Sequence, residues 1–540
     1  MDPARTRIAR IAEAVAALLF LPLAAHFLFS WIGFNPTDDG FILAGARRIL
    51  EGQVPHRDFI SIRPAGSFLL HTPEVWAGGA RVFLISRAVF WFEIAAGAWC
   101  WTLLLEWARG RSFAAGARLA VATTIAALDA HVFPSMAWHS VDAATLAAVG
   151  LAMAAGAPGW RKIAGYAILG LAPVCRQNFV PLVPLGLLLL GDVRRPRCWL
   201  AALAPAGLYV AAIAALGGWA DMLAQLGARM DLIGPGITAY VGLRETWVGL
   251  AAGAAAALGV RWRWSAALRP FAVKAGAVVG ASVAFSGVLA LYRGSVHAGP
   301  AFLLAGAAAG IAGTLTFLDW PRARAAWLAA AAGWCISISL GYNTPVLLAG
   351  ALAGVAAALV IDVLEEIRPA AVILFAIVLA IASLGSLWHA RHLFIYRDRP
   401  AAGLTADLGT VLPGGRGIRT NPETAAFLAD LGEAAARYGK WPYAVLPDCA
   451  AWWVCARGVN PLPLDWIYNP EISTPELFMR TMKVMEAGRG RVCILLQKYR
   501  VDSIAWNRRP IRGLPQYGIE EYVRKTFRKM GETAYFEIYY

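Results

Sequence analysis

The segment 35–66, NPTDDGFILAGARRILEGQVPHRDFISIRPAG, concentrates side chains able to do chemistry. Two adjacent carboxylates, Asp38 and Asp39, follow directly on the first apolar run, and His56, Arg57, Asp58 and Arg63 come later in the same loop. A carboxylate at a membrane edge can take the proton of an attacking hydroxyl. The same pair could instead cap a helix over 40–50, since acids suit an N-cap and a first-turn dipole. Two acids at a bilayer boundary are costly unless used, which weighs towards chemistry. Cations able to grip a phosphate are also present. Arg63 and Arg176, the latter in the run PVCRQN at 173–178, offer the planar fork that matches two phosphate oxygens. Arg176 could equally be a snorkelling arginine at a helix end. Arg293 is a weaker third choice.

These residues must be positioned by membrane helices. The 540 residues are 59% hydrophobic and 15% charged, with a mean hydropathy of +0.56, outside the range of a soluble globular chain. The net charge of +15 does not point to nucleic acid, because the arginines fall in short clusters between apolar runs and form no single basic face. A span needs about 20 mostly apolar residues, and that rule predicts about thirteen: 10–32, 80–106, 118–134, 140–158, 163–175, 178–191, 199–217, 246–261, 271–291, 299–318, 325–340, 345–361 and 370–388. The basic start followed by an apolar stretch reads as a retained signal anchor.

Every second loop is basic. Arg109, Arg111 and Arg118, then Arg161 and Lys162, then Arg194, Arg195 and Arg197, then Arg261, Arg263 and Arg269, then Arg322 and Arg324 mark cytoplasmic loops. The sixth such loop, around Asp362, Glu365, Glu366 and Arg368, fits this pattern poorly. The N-terminus is then cytoplasmic, and an odd number of spans leaves the tail on the outer side with the first loop, 34–79. That loop holds stretches at 40–50 and 67–76 that suit interfacial helices, and 217–245 also reads as partly helical. The chain divides into a transmembrane part, 1–390, and a small α/β domain, 391–540, with helices at 424–438, 475–486 and 518–530 and strands at 443–446, 492–496 and 535–540. Cys449 and Cys455 lie in this outward domain, where they could form a disulfide or remain two buried thiols. No cysteine spacing suits zinc.

The Asp38-Asp39-Gly40 triplet, Gly52, Pro55, Asp58-Phe59 and Pro64-x-Gly66 resemble the first outer loop of the GT-C glycosyltransferases, the superfamily of protein mannosyltransferases, aminoarabinose transferases and their bacterial relatives. The segment around Arg176, Gln177 and Asn178 is similar to an Arg/Lys-Gln-Asn segment in bacterial members. The resemblance implies a bacterial inner-membrane enzyme that moves a sugar from a polyprenyl-phosphate donor to a glycan, lipid or protein acceptor, with inversion. No cofactor is expected to be required, since a divalent metal needs convergent ligands that sequence alone does not establish. It places the catalytic base at Asp38. Asp39 could fill that role instead, or orient an acceptor or a metal.

Arg63 and Arg176 are the candidates for the donor phosphate, and Asp58, His139, Gln177, Asn178, Tyr342 and Asn343 for acceptor or sugar contacts. Asp129 with His131, and His139 with Asp142, flank the second outer loop, where some relatives place a second acid. Tyr342 and Asn343 sit in a polar break that could bond sugar hydroxyls or simply turn the chain. Trp441, Trp452, Trp453 and Trp466 could stack on sugar rings or fill a core. A transporter or flippase for a lipid-linked sugar is the competing class. It would place charge at the midplane on broken, repeated helices, and no such repeat is visible. A polysaccharide ligase or polymerase of another fold would carry its long loop late in the chain.

Overall fold

The computed structural model describes residues 3–156, 158–228, 244–263, 311–316, 319–337, 349–438, 441–467, 471–511 and 518–540. Helices stand at every expected apolar segment that these residues cover. α1 (Pro3–Val15) passes through a π turn (Ala16–Phe20) into α2 (Leu21–Phe29), and the loop beyond folds into α3 (Asp38–Leu50), α4 (Gly66–Leu70) and α5 (Thr72–Gly78). Next come α6 (Val82–Arg109), α7 (Ala117–Val132), α8 (His139–Gly156), α9 (Trp160–Cys175), α10 (Leu182–Leu189), α11 (Pro196–Ala215) and α12 (Trp219–Gly227). The last helices before the tail are α13 (Arg244–Arg263), α14 (Trp320–Ser337), α15 (Ala349–Ile367) and α16 (Pro369–Leu393).

Among the described residues four stretches are long and apolar enough to cross a bilayer: Arg7–Phe29, Gly66–Arg109, Pro196–Ala215 and Ala370–Leu393. The expected spans at 271–291 and most of 299–318 lie outside the described residues, as do Arg293, Tyr342 and Asn343. The expected span at 178–191 starts as a 3-10 turn, Gln177–Phe179, and continues as the eight-residue α10, too short to cross by itself.

α6 sets the depth of the molecule. Its 28 residues end at Gly110, whose left-handed backbone (φ 69) stops the helix. Arg87 near its start and Arg109 at its end are separated by about 33 Å at 1.5 Å per residue, close to the roughly 30 Å of a hydrocarbon core. At the Arg109 end the acids of the poorly fitting sixth loop find their partners. Asp362 Oδ1 pairs with Arg109 at 2.6 Å and Arg111 at 2.7 Å, and its Oδ2 with Arg322 at 2.9 Å. Glu365 joins Arg109 at 3.1 Å. The loop carries acids because it neutralises two other basic loops.

At the opposite end lies the tail. A two-stranded piece, β1 (Ala406–Asp407) with β2 (Arg419–Thr420), precedes α17 (Pro422–Tyr438), β3 (Tyr443–Leu446), α18 (Ala450–Cys455), α19 (Pro475–Ala487), β4 (Cys493–Gln497), α20 (Gly518–Thr526), β5 (Lys529–Glu532) and β6 (Phe536–Tyr539). The larger sheet has the order β3-β4-β6-β5, with β3 and β4 parallel and β6 antiparallel to both its neighbours. The helix expected over 518–530 ends at Thr526, and β5 then forms an edge hairpin with β6.

The core of the tail is continued by side chains of the first loop. Phe34, Phe41 and Leu43 of the first loop are buried in one cluster with Leu428, Val445 and Phe536, and Ile60 and Ile62 in another with Leu446 and Leu496. Loop 34–79 and the tail therefore share one face of the molecule, and the division at 391 separates composition but not packing. Gly40 marks the closest approach: a Cβ there would fall 2.1 Å from the backbone of Ala451, so α3 and α18 touch main chain to main chain. Cys449 and Cys455 are free thiols, not a disulfide. They flank α18, and six residues of helical rise place them about 9 Å apart, beyond disulfide reach.

Candidate active site

The turn into α3 separates the roles of the two adjacent acids. Asn35 caps the helix, its Oδ1 accepting from the backbone N–H of Thr37 at 3.1 Å and of Asp38 at 2.8 Å. Asp39 reaches back to the Asn35 N–H with Oδ2 (2.8 Å), and its Oδ1 accepts from Arg87 Nη2 at 2.8 Å and Nε at 3.3 Å. Arg87 also donates to the carbonyls of Ser30 and Gly33, each at 2.7 Å, so the pair fixes the chain leaving α2. Both oxygens of Asp39 are committed to structure.

Asp38 is differently placed. It is only 1% exposed, and its Oδ2 accepts from the Tyr396 hydroxyl at 2.9 Å and faces Arg397 Nη1 at 2.8 Å. Among the described residues no donor reaches its Oδ1. Burial raises its carboxyl above the ordinary value, against the opposing pull of Arg397 and of the Tyr396 bond. Asp398 brings these two partners into place: its Oδ2 accepts from the Phe34 N–H at 2.9 Å and from Thr420 at 3.0 Å, and its Oδ1 accepts from Asn421 at 2.6 Å. The residue after the Tyr-Arg pair thus ties the start of the tail to the end of the first helical run.

A second acid stands beside Asp38. Asp448, just past the C-terminal end of β3, accepts from Thr37 Oγ1 at 2.5 Å through Oδ2, and its Oδ1 is buried with no hydrogen-bond partner among the described residues. Burial pushes its carboxyl up to about 8, with Asp38 adding to the rise, which favours the protonated form at neutral pH. The site therefore holds two buried carboxyls side by side, both raised by burial and both opposed in that rise by the charge of Arg397.

Cations and aromatics line the approach. Arg63 lies 5.4 Å above the Phe41 ring and pairs with Glu471 of the tail, Nη1 being 2.8 Å from Oε1. Its charge acts on both Asp38 and His139. Arg176, buried at the extended break between α9 and the 3-10 turn, donates to Ser140 Oγ and also acts on His139. His139 faces the Cys175 carbonyl through Nδ1 at 3.1 Å and packs on Phe68 and Phe41 with centroids 5.5 and 6.0 Å apart. Gln177 closes the corner by donating to the Ile62 carbonyl at 2.8 Å, and Asn178 follows in the same turn, half-buried.

The structure thus gathers Asp38, Arg63, His139, Arg176 and Gln177 around one region. Asp58 stands apart, exposed and held by Arg57 at 2.8 Å, with its Oδ2 accepting from the Val54 N–H. Arg57 and the Val54 turn lower its carboxyl in the manner of a surface ion pair. Asp129 accepts from the Gly350 N–H at 3.1 Å and so joins α7 to α15. His131 lines a cavity of about 140 Å³ with Asp39, Arg87, Arg391 and Tyr396, directly behind the acid pair. Trp452 and Trp453 are buried in the core shared by loop and tail.

Three residues of this site escape a reading of the sequence: Tyr396, Arg397 and Asp448. The first two sit where composition changes, and Asp448 has one local signal, its place at the carboxyl end of a strand. A comparison with protein-family models finds no match to the chain, and none is found among curated proteins.

Proposed function

We propose that this chain is a membrane glycosyltransferase of the GT-C kind, moving one sugar from a polyprenyl-phosphate carrier to an acceptor hydroxyl on the outer face of a bacterial inner membrane. Asp38 is the base. As the acceptor oxygen attacks the anomeric carbon, the bond to the carrier phosphate breaks, its electron pair leaves with the phosphate, and the hydroxyl proton passes to Asp38. One displacement inverts the anomeric centre. Arg63 and Arg176 receive the phosphate, each guanidinium having five donors and so able to keep its present partner. No metal is required for this step.

The observation that carries the reading is the geometry of Asp38: one oxygen is held by Tyr396 and Arg397 while the other accepts no hydrogen bond among the described residues, in a buried carboxyl of raised basicity. A base tuned upward towards the working pH is what proton abstraction favours. The shared face of loop 34–79 and the tail supports an odd number of spans; with the N-terminus cytoplasmic, as the basic loops suggest, residues 391–540 are periplasmic.

The test supplies labelled polyprenyl-phosphate sugars to membranes holding the wild-type chain or Asp38→Asn. We expect Asp38→Asn to lose about 10²–10⁴-fold in transfer while remaining folded and inserted. Wild-type turnover in that variant would end the proposal.

A further inference from the structure

Away from Asp38, a second group of ionisable side chains meets where the first loop packs on α6 and α8. His71 joins α4 to α5 and is wholly buried, as is Asp142 in the first turn of α8. Glu93 projects from α6 towards them. One ligand atom from each of His71, Glu93 and Asp142 lies within 4.8 Å of the other two.

The histidine ring is oriented as a metal ligand would be. Glu74, one turn along α5, faces His71 Nδ1 at 2.7 Å, and Asp142 Oδ1 faces Nε2 at 3.2 Å; with the ring proton on Nδ1, the Nε2 lone pair points at Asp142. Two acceptors in such contact need a positive charge between them. A carboxylate that fixes the tautomer of a ligating imidazole from behind is the usual outer partner of a metal-bound histidine. The 3.2 Å separation is also close to the roughly 3.4 Å expected between two ligands about 2.1 Å from a tetrahedral ion. Glu93 needs to close by no more than about 1.4 Å to complete a third position.

An independent observation comes from the unused oxygens. Glu93 Oε2 and Asp142 Oδ2 are both buried, and neither has a hydrogen-bond partner among the described residues. Glu74 Oε2 is in the same state. Three carboxyl groups thus stand around one imidazole in a buried setting, and a bound cation gives their unused oxygens a partner.

We propose that His71, Glu93 and Asp142 bind a divalent transition-metal ion of the zinc class, with Glu74 holding His71 in place. One imidazole nitrogen with carboxylate oxygens suits such an ion better than calcium or magnesium, which take oxygen ligands. The ion staples loop 34–79 to α6 and α8. This inference stands whether or not the chain transfers sugar.

The full chain in nanodiscs is stripped with a chelator, exposed to Zn²⁺ or Co²⁺, desalted and assayed for metal content, for the visible spectrum of bound Co²⁺ and for thermal unfolding with and without Zn²⁺. About one ion per chain is expected, with the spectrum of a four-coordinate nitrogen and oxygen site and a Zn²⁺-dependent rise in unfolding temperature. Glu93→Gln keeps the size of the side chain but replaces a ligating carboxylate by an amide, so its metal-free form is expected to unfold close to wild type while its Zn²⁺ response disappears. His71→Asn is expected to weaken binding at least 100-fold and Glu74→Gln about 10–100-fold. A wild-type chain that retains no metal overturns the proposal. So does retention by Glu93→Gln and His71→Asn equal to that of wild type.

Discussion

Arg397 closes on Asp38 from the far end of the helical region, its Nη1 2.8 Å from Oδ2, with Tyr396 beside it at 2.9 Å. Both contacts stabilise the charged form of the carboxylate and so oppose the rise that burial produces. Removing either partner leaves burial less opposed. Arg397→Ala and Tyr396→Phe should therefore move the acid limb of the transfer pH profile to higher pH, with rate losses at neutral pH smaller than that of Asp38→Asn. Arg397→Lys should restore part of the shift. An unmoved acid limb in both variants would separate these residues from the base.

Asp448 makes stability depend on pH. Burial raises its carboxyl from 3.8 to about 8, so the folded chain keeps a proton that the unfolded chain releases above about pH 4. The contribution is fully present below that value, falls as pH rises and is lost once pH passes about 8. Asp448→Asn should flatten this decline. Unfolding temperatures of wild type and variant in nanodiscs between pH 5 and 9 should converge at the acid end and diverge at the alkaline end, with the variant higher.

The Asp39 to Arg87 pair is buried at both ends, with side chains 7% and 3% exposed. Arg87→Met leaves Asp39 charged and unpaired, a loss of about 3–5 kcal/mol for a pair of this kind. Adding Asp39→Asn to Arg87→Met should recover part of that loss, incompletely because Arg87 also serves backbone carbonyls. Additive losses in the double variant would mean that the two side chains act independently.

Cysteines introduced at exposed positions check which face is which. Glu521→Cys in the tail should react with a membrane-impermeant reagent added to the outer side, and Arg194→Cys only after the membrane is opened. Labelling in the reverse order would move the proposed site to the cytoplasm.

The helices and the tail elements were legible because lipid and core burial write hydropathy directly into short windows of sequence. α3 and α5, β3 and α19 lie within a few residues of expectation for that reason. The β5 turn was hidden, since Lys529–Glu532 is a largely exposed edge strand with little apolar pattern. In the site, the acid pair was visible but its division of labour was not. That division depends on Arg87, Tyr396 and Arg397, none of which is local to 38–39 in sequence. The same limit hid Glu471 as the partner of Arg63, and Asp448 as the neighbour of Asp38. Gly40 looked like one letter of a motif, yet its physical reason is the backbone of Ala451 lying against it.

Because loop and tail bury their apolar side chains in each other, the order of synthesis matters. The ribosome makes residue 38 early, and the nascent chain must carry that acid unclamped until Tyr396 and Arg397 have been made. Premature release of the polypeptide before the tail is made would leave the helices with the apolar side chains of loop 34–79 uncovered, a natural substrate for quality-control proteases.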